Sequence, residues 1–233
     1  MSIKFRSSGS KQDELFKFAQ EGNLEQVRKL IEVDGVNAGC LDEDERTPLH
    51  WAAAKDKRDI VQYLVKECNQ DVNTKDDGGW SPLLSAASSS FVHMVALLLQ
   101  NSADPNSMND SKRTALHYAS SKGRTDIVDL LLNYGAKNRK DETGAAPIHR
   151  AAAAPNGAAA TVERLLKSDA NINSTNSNGD TAAHIAAEYG NEDVMDVLLK
   201  NGADMTIENN EHKTPLQLAS SGSMKYLITS YKQ

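Results

Sequence analysis

The chain is short of large rings: aromatic residues fill 5% of its 233 positions, although 39% are hydrophobic. A compact globule of this length ordinarily uses more aromatic bulk, so the composition favours small units that pack on their neighbours with Ala and Leu. Cysteine is scarcer still. Cys40 and Cys68 are 28 positions apart and neither belongs to a CxxC pair, which excludes a disulfide framework or thiolate zinc site and suits a reducing cytoplasm or nucleus. No stretch approaches ~18 uninterrupted apolar residues, and Met1 to Lys11 holds no run of signal-peptide length, so neither a membrane partner nor signal-led secretion is expected. Positive charge is not in excess either: 26 Lys and Arg face 32 Asp and Glu, a net charge of -6. Binding a phosphate backbone needs a basic face that releases counterions, so no nucleic-acid partner is expected.

What the chain does have is a repeat. A four-residue phrase recurs as Thr47-Pro48-Leu49-His50, Ser81-Pro82-Leu83-Leu84, Thr114-Ala115-Leu116-His117, Ala146-Pro147-Ile148-His149, Thr181-Ala182-Ala183-His184 and Thr214-Pro215-Leu216-Gln217, at spacings of 34, 33, 32, 35 and 33 residues. Small pairs such as Ala52-Ala53 and Ala186-Ala187 follow, then apolar runs such as Ile127-Val128 to Leu132. Period and phrase identify the chain as a member of the ankyrin-repeat class. The expected fold is all-α: an ankyrin-repeat solenoid of seven helix-turn-helix repeats with projecting β-hairpin fingers.

Each part of the phrase has a physical reason. Thr or Ser before the first helix caps its free N–H groups, and Pro at the first helical position gives up a donor that had no partner. The Ala pair lets neighbouring repeats approach, while a second helix with Val194, Val197, Leu198 and Leu199 buries the main stripe. Gly135 and Gly202 stand where a helix end takes a left-handed residue. The polar stretch from Asp71 to Gly79 reads as a finger. A degenerate first copy runs from Asp13 to about Asn37, and Thr214 to Tyr231 closes the array with a first helix and a short second one, Lys225, Tyr226 and Lys232 wetting its outer face. Residues 1–12 form a tail and 13–233 one domain. Pro155-Asn156-Gly157 marks an insertion of about two residues between two helices, and the finger before Ala146 is one residue short.

His50, His117, His149 and His184 share the last place of the tetrad, one repeat apart. They are too regularly spaced to converge on one ion, so each is expected to hydrogen-bond nearby backbone and tie finger to finger. His93 and His212 have no evident partners. No nucleophile elbow, phosphate-binding loop or metalloprotease motif occurs, so no enzyme activity and no cofactor are expected.

The information lies in residues that vary from copy to copy on the face formed by fingers and first helices. The place before the tetrad holds Arg46, Trp80, Arg113, Ala145, Asp180 and Lys213; the place after it holds Trp51, Ser85, Tyr118, Arg150, Ile185 and Leu218. Trp, Tyr and Arg are the types that most often anchor interfaces. Charge is ordered as well. Asp42, Glu43, Asp44, Glu45, Asp76 and Asp77 crowd the first fingers, and Lys112, Arg113, Lys122, Arg139, Lys140 and Arg150 gather in the middle repeats, which would select a partner with basic residues at one end and acidic ones at the other.

Longer phrases carry a narrower resemblance: Asp44-Glu45-Arg46-Thr47-Pro48-Leu49-His50-Trp51, Lys75-Asp76-Asp77-Gly78-Gly79-Trp80-Ser81-Pro82-Leu83, Leu116-His117-Tyr118-Ala119-Ser120-Ser121-Lys122 and Ile207-Glu208-Asn209 to Gln217. In these the chain resembles the gankyrin family of proteasome regulatory-particle assembly chaperones. The resemblance implies a cytoplasmic and nuclear protein, a monomer by itself, that binds the C-terminal domain of one proteasomal ATPase. It implies further that Asp44 and Asp77 meet basic partner side chains, that Arg46 and Lys122 meet acidic ones, and that Trp51, Trp80, Tyr118 and Arg150 fill the contact. Asp76 and Arg113 join this set from the charge pattern. The Leu-x-Cys-x-Glu segment that links mammalian members to the retinoblastoma protein is not reproduced in Ile185-Ala186-Ala187-Glu188-Tyr189. The alternative is a stoichiometric ankyrin regulator of a kinase or a transcription factor.

Overall fold

The first helix begins where a serine can close a box on itself. Ser10 Oγ accepts from the Asp13 N–H and the Asp13 carboxylate accepts from the Ser10 N–H, each at 3.2 Å, which satisfies donors that a helix start leaves open. The computed structural model describes residues 9–155 and 158–231. Residues 1–8 of the expected tail, Asn156 and Gly157 of the expected insertion, and Lys232 lie outside the described residues. Two compact units are found, Met1–Asp104 and Pro105–Gln233.

In the first unit, α1 (Lys11–Glu21) is followed by α2 (Leu24–Arg28), which runs on into one π-helical turn at Lys29–Val33. Then come the pairs α3 (Pro48–Ala54) with α4 (Arg58–Lys66) and α5 (Pro82–Ser88) with α6 (Val92–Gln100). First helices pack on first helices, α1 on α3 on α5, and second helices follow, α2 on α4 on α6. The interior is aliphatic: Leu15, Leu49, Ile60, Leu64, Leu83, Met94 and Leu98 are fully buried.

The second unit repeats the scheme four times. Its pairs are α7 (Ala115–Ser121) with α8 (Thr125–Asn133), α9 (Pro147–Ala152) with α10 (Ala158–Leu166), α11 (Ala182–Tyr189) with α12 (Glu192–Lys200), and α13 (Pro215–Leu218) with α14 (Gly222–Ser230). Here α7, α9, α11 and α13 stack in one row and α8, α10, α12 and α14 in the other. Val194, Val197, Leu198 and Leu199 are buried as the stripe requires, and Gly135 and Gly202 adopt φ of 86° and 78°.

The expected helix lengths of the last repeat are reversed. The short helix is α13, of four residues, and α14 has nine. The cause is a shorter run from tetrad to second helix: α14 begins eight residues after Thr214, where α12 begins eleven after Thr181, so α13 ends after four residues. Ser221 then caps α14 by accepting from the Met224 N–H at 3.0 Å. Lys225 and Tyr226 are exposed, as expected of an outer face.

The fingers are hairpins in connection but hold no strand among the described residues; one isolated antiparallel bridge joins Met108 and Thr114. Each finger is closed by side chains, which take the N–H groups a ladder would use.

The Ala pairs at 52–53, 86–87, 151–152 and 186–187 are buried without polar groups, but α7 carries Ala119 and Ser120. Ser120 is fully buried and its Oγ has no hydrogen-bond partner. An orphaned hydroxyl costs more than the methyl that replaces it, so Ser120→Ala is expected to stabilise the protein by about 1 kcal/mol. Urea unfolding checks this; a midpoint lowered by the substitution would show that the hydroxyl has a partner in solution.

Candidate protein-interaction face

One residue organises each finger, always five positions before the tetrad: Asp42, Asp76, Asn109, Asp141, Asn176 and Asn209. Its own N–H donates to the carbonyl of the residue just before the tetrad, in Asp42–Arg46, Asp76–Trp80, Asn109–Arg113, Asp141–Ala145, Asn176–Asp180 and Asn209–Lys213, at 2.9–3.1 Å. Its Oδ1 accepts the N–H of that same residue, from Arg46, Trp80, Arg113, Ala145, Asp180 and Lys213 in turn. Asp and Asn both provide this oxygen and both favour such turns. The tip then turns through a left-handed residue, Glu45, Gly79, Lys112, Gly144, Gly179 or His212. At Gly144 and Gly179 a Cβ would come within 2.8 Å of the Ser177 or Asn210 nitrogen of the next finger, so there glycine answers both the conformation and the close approach.

Fingers are tied to one another twice. Tip to tip, the N–H groups of Asp77, Glu142, Ser177 and Asn210 donate to the carbonyls of Asp44, Ser111, Thr143 and Asn178. From below, the histidines act as expected. Nδ1 of His50, His117, His149 and His184 accepts the backbone N–H of the residue opening its own tetrad, at 3.0–3.1 Å. Nε2 donates to a carbonyl of the next finger: Trp80 for His50, Ala145 for His117, Ser174 and Asp180 for His149, and Lys213 for His184. With a carbonyl on one nitrogen and an N–H on the other, the ring must be the neutral Nε2–H form. His93 and His212 are exposed. Among the described residues no group of three or more His, Cys, Asp or Glu is placed to hold a metal ion, and no helix is long and apolar enough to cross a membrane.

On this frame the variable residues fall into two sets, one per unit. In the first, Asp44 and Asp77 are exposed and the Trp51 indole is held by Nε1 donating to Asp42 Oδ2 at 2.7 Å. Arg46 lies 5.2 Å from the Trp51 ring centroid and donates from Nε to Asp76 Oδ2 at 3.0 Å. Trp80 is half-buried, its ring beside Gly78 and its backbone N–H on Asp76 Oδ1. Asp76 itself corrects the expectation of a partner contact. It is 6% exposed and its carboxylate is engaged by Arg46, Gly78 and Trp80, so the outward charge of that finger is Asp77.

In the second unit Tyr118 accepts from Asn109 Nδ2 at 2.9 Å, and Arg113 and Arg150 both reach Asp141. Lys122 is exposed at the end of α7. The organising finger residues were missed by sequence reasoning because they read as a mixture of acids and amides; their constant distance from the tetrad was the signal available.

The sequence matches the ankyrin-repeats family in three overlapping copies, over residues 15–109, 93–174 and 148–233. The chain belongs to the ankyrin-repeat family. Among relatives of that family, an ankyrin repeat-containing protein of Schizosaccharomyces pombe is 34% identical over 83% of this chain and 84% of its own. The 26S proteasome non-ATPase regulatory subunit 10 of Dictyostelium discoideum is 63% identical over 101 residues, which are 43% of this chain and 44% of that protein. The chain thus matches less than half the length of that relative. Palmitoyltransferase AKR1 of Lachancea kluyveri is 30% identical over 79% of this chain but only 26% of its own length, so what is shared there is the repeat segment. The fold is also that of solved ankyrin domains: human ASB11, TM-score 0.83 at 23% identity over 94% of this chain and 97% of that one, and Bcl-3, a member of the IkappaB family, TM-score 0.79 at 26% identity over 96% and 100%.

Burial pushes the His50, His117 and His149 rings below the ordinary imidazole value, His117 to about 4, although the carbonyls that they donate to pull the other way. In the unfolded chain these rings protonate near 6.5 (roughly). Their contribution to stability is therefore complete above that value and lost as pH falls through it; for His117 the loss runs down to about pH 4 and amounts to on the order of 3 kcal/mol. Urea unfolding between pH 8 and 4 should show little change at the top and a fall below about 6.5. A stability that stays level throughout would contradict the buried neutral rings.

Proposed function

We propose that this ankyrin-repeat protein is a non-catalytic chaperone of proteasome regulatory-particle assembly, acting in the cytoplasm and nucleus by binding the C-terminal domain of one proteasomal ATPase. The observation that carries the reading is the 63% identity over 101 residues to a proteasome non-ATPase regulatory subunit. The ankyrin fold supports a binding role, since its side-chain network uses the backbone and the Asx and His places and leaves the residues flanking the tetrad to vary. Exposed Asp44 and Asp77 would meet basic side chains of the ATPase domain, with Trp51 and Trp80 supplying aromatic anchor area and Arg46 an acidic contact. Lys122, Arg113, Tyr118 and Arg150 would meet acidic and apolar ones. Such binding would hold the ATPase as an unfinished module until assembly proceeds.

The test is a titration of the full chain against the C-terminal domains of the six proteasomal ATPases, beside an Asp44→Ala, Asp77→Ala, Trp80→Ala triple variant with unchanged circular dichroism. One domain is expected to bind selectively, and the variant to bind at least ~30-fold more weakly, as anchor residues require. Binding to none of the six would overturn the assignment, and capture of a kinase or a transcription factor by the same residues would favour the regulator reading.

A further inference from the structure

Two guanidinium groups of the second unit converge on one buried carboxylate. The Asp141 side chain has no exposed surface. Its Oδ1 accepts from the Thr143 N–H at 2.9 Å, the Thr143 hydroxyl at 2.6 Å and the Ala145 N–H at 3.1 Å. Its Oδ2 accepts from Arg113 Nε at 3.3 Å and from a terminal nitrogen of Arg150, which also donates to Thr143 Oγ1 at 3.2 Å. Arg113 stands just before the tetrad of one repeat and Arg150 just after the tetrad of the next. Both keep part of their surface open, 34% and 29% of the side chain.

Three features of this arrangement go beyond closing a finger. First, Asn109, Asn176 and Asn209 occupy the same place and accept the same backbone N–H groups through Oδ1, so the hairpin needs an amide oxygen and no charge. What Asp141 adds is the second oxygen, and that oxygen is taken by arginines. Second, one negative charge faces two positive ones, leaving a net positive pair at the surface. Third, one terminal nitrogen of Arg150 is held by both Asp141 Oδ2 and Thr143 Oγ1, which presets the guanidinium while the side chain stays partly open to solvent. A planar guanidinium fork matches a carboxylate, and two forks fixed beforehand lose little side-chain freedom on binding.

We propose that Asp141 is a positioning residue that holds Arg113 and Arg150 as a preset pair for one carboxylate of a bound protein; the proposal rests on the chaperone reading only for which protein supplies it. The carboxylate accepts from the outward edges of both guanidiniums and brings the cluster to two negative and two positive charges. Asp141 stays inside the finger and acts on the bound carboxylate only through the arginines.

The test uses the full chain and no proteasomal domain. In nuclear magnetic resonance of the free protein, the Arg113 and Arg150 Nε–H vectors are expected to be rigid, and in Asp141→Asn to fall to order parameters below about 0.6. Order that survives the substitution would overturn the positioning role. Tetraglutamate is then titrated against tetraglutamine. Both arginine resonances should shift with one shared midpoint for the acidic peptide and stay still for the neutral one; an equal response to both, or none to tetraglutamate, would overturn the carboxylate site. Arg150→Lys keeps the charge and leaves Asp141 in place, so it serves even where Asp141→Asn folds poorly. It should weaken the tetraglutamate midpoint several-fold, and an unchanged midpoint would show that the two arginines do not act as a pair. Failure of every ATPase domain to bind would sink the chaperone reading while leaving these outcomes to decide the site.

Discussion

An uncharged imidazole that accepts an N–H from the start of its own helix and donates its other nitrogen to a carbonyl in the following finger joins two levels of structure with one ring. In His50, His117, His149 and His184 the donor and acceptor are fixed by what stands opposite. The ring also completes the helix start that Thr47, Thr114 and Thr181 open, their hydroxyls lying 2.8–3.0 Å from Nδ1. Where Ala146 replaces threonine the backbone bond to His149 remains at 3.0 Å. The arrangement works only while the ring is neutral, and burial favours that form in His50, His117 and His149. A protonated ring would present a second donor to a backbone N–H and lose the contact.

The fingers held in this way do a second job through the second oxygen or nitrogen of their organising residue. Asp42 holds Trp51, Asp76 holds Arg46, Asn109 holds Tyr118, Asp141 holds Arg113 and Arg150, and Asn209 reaches Asp180. The side chains that vary between repeats are thus attached to residues the fold already needs. Fold and recognition share one scaffold: the geometry that recurs from repeat to repeat sets where a variable side chain begins and, through a single polar atom, where it points. A preset side chain has less freedom left to lose when a partner arrives.

Much of this was legible in the sequence because the signals are local. The tetrads, the Pro at helix starts, the Ala pairs and the glycines at 135 and 202 each act within a few residues and recur at a period, so helix positions and the burial of Val194, Val197, Leu198 and Leu199 followed. The regular spacing of four histidines pointed to backbone bonding and away from a shared ion. What was not legible depended on burial or on counting turns. Asp42 and Asp76 read as surface charge beside Asp44 and Asp77, although the first two are internal acceptors; their chemistry is the same and only their place in the hairpin differs. In the last repeat the tetrad marked a helix start, but the segment from tetrad to second helix is three residues shorter than in the repeat before, and that decided that α13 would be the short helix. The fingers were expected to be β-hairpins, yet an Asx side chain closes them before a ladder can form.

The measurement that tests the role of the histidines most directly is long-range nitrogen–proton correlation of the imidazole rings at pH 6. The structure requires four rings in the neutral Nε2–H form with the Nε2 proton slow to exchange. Rings in the Nδ1–H form, or rings protonated at that pH, would contradict the account, because neither can join its own helix start to a carbonyl of the next finger in the way described.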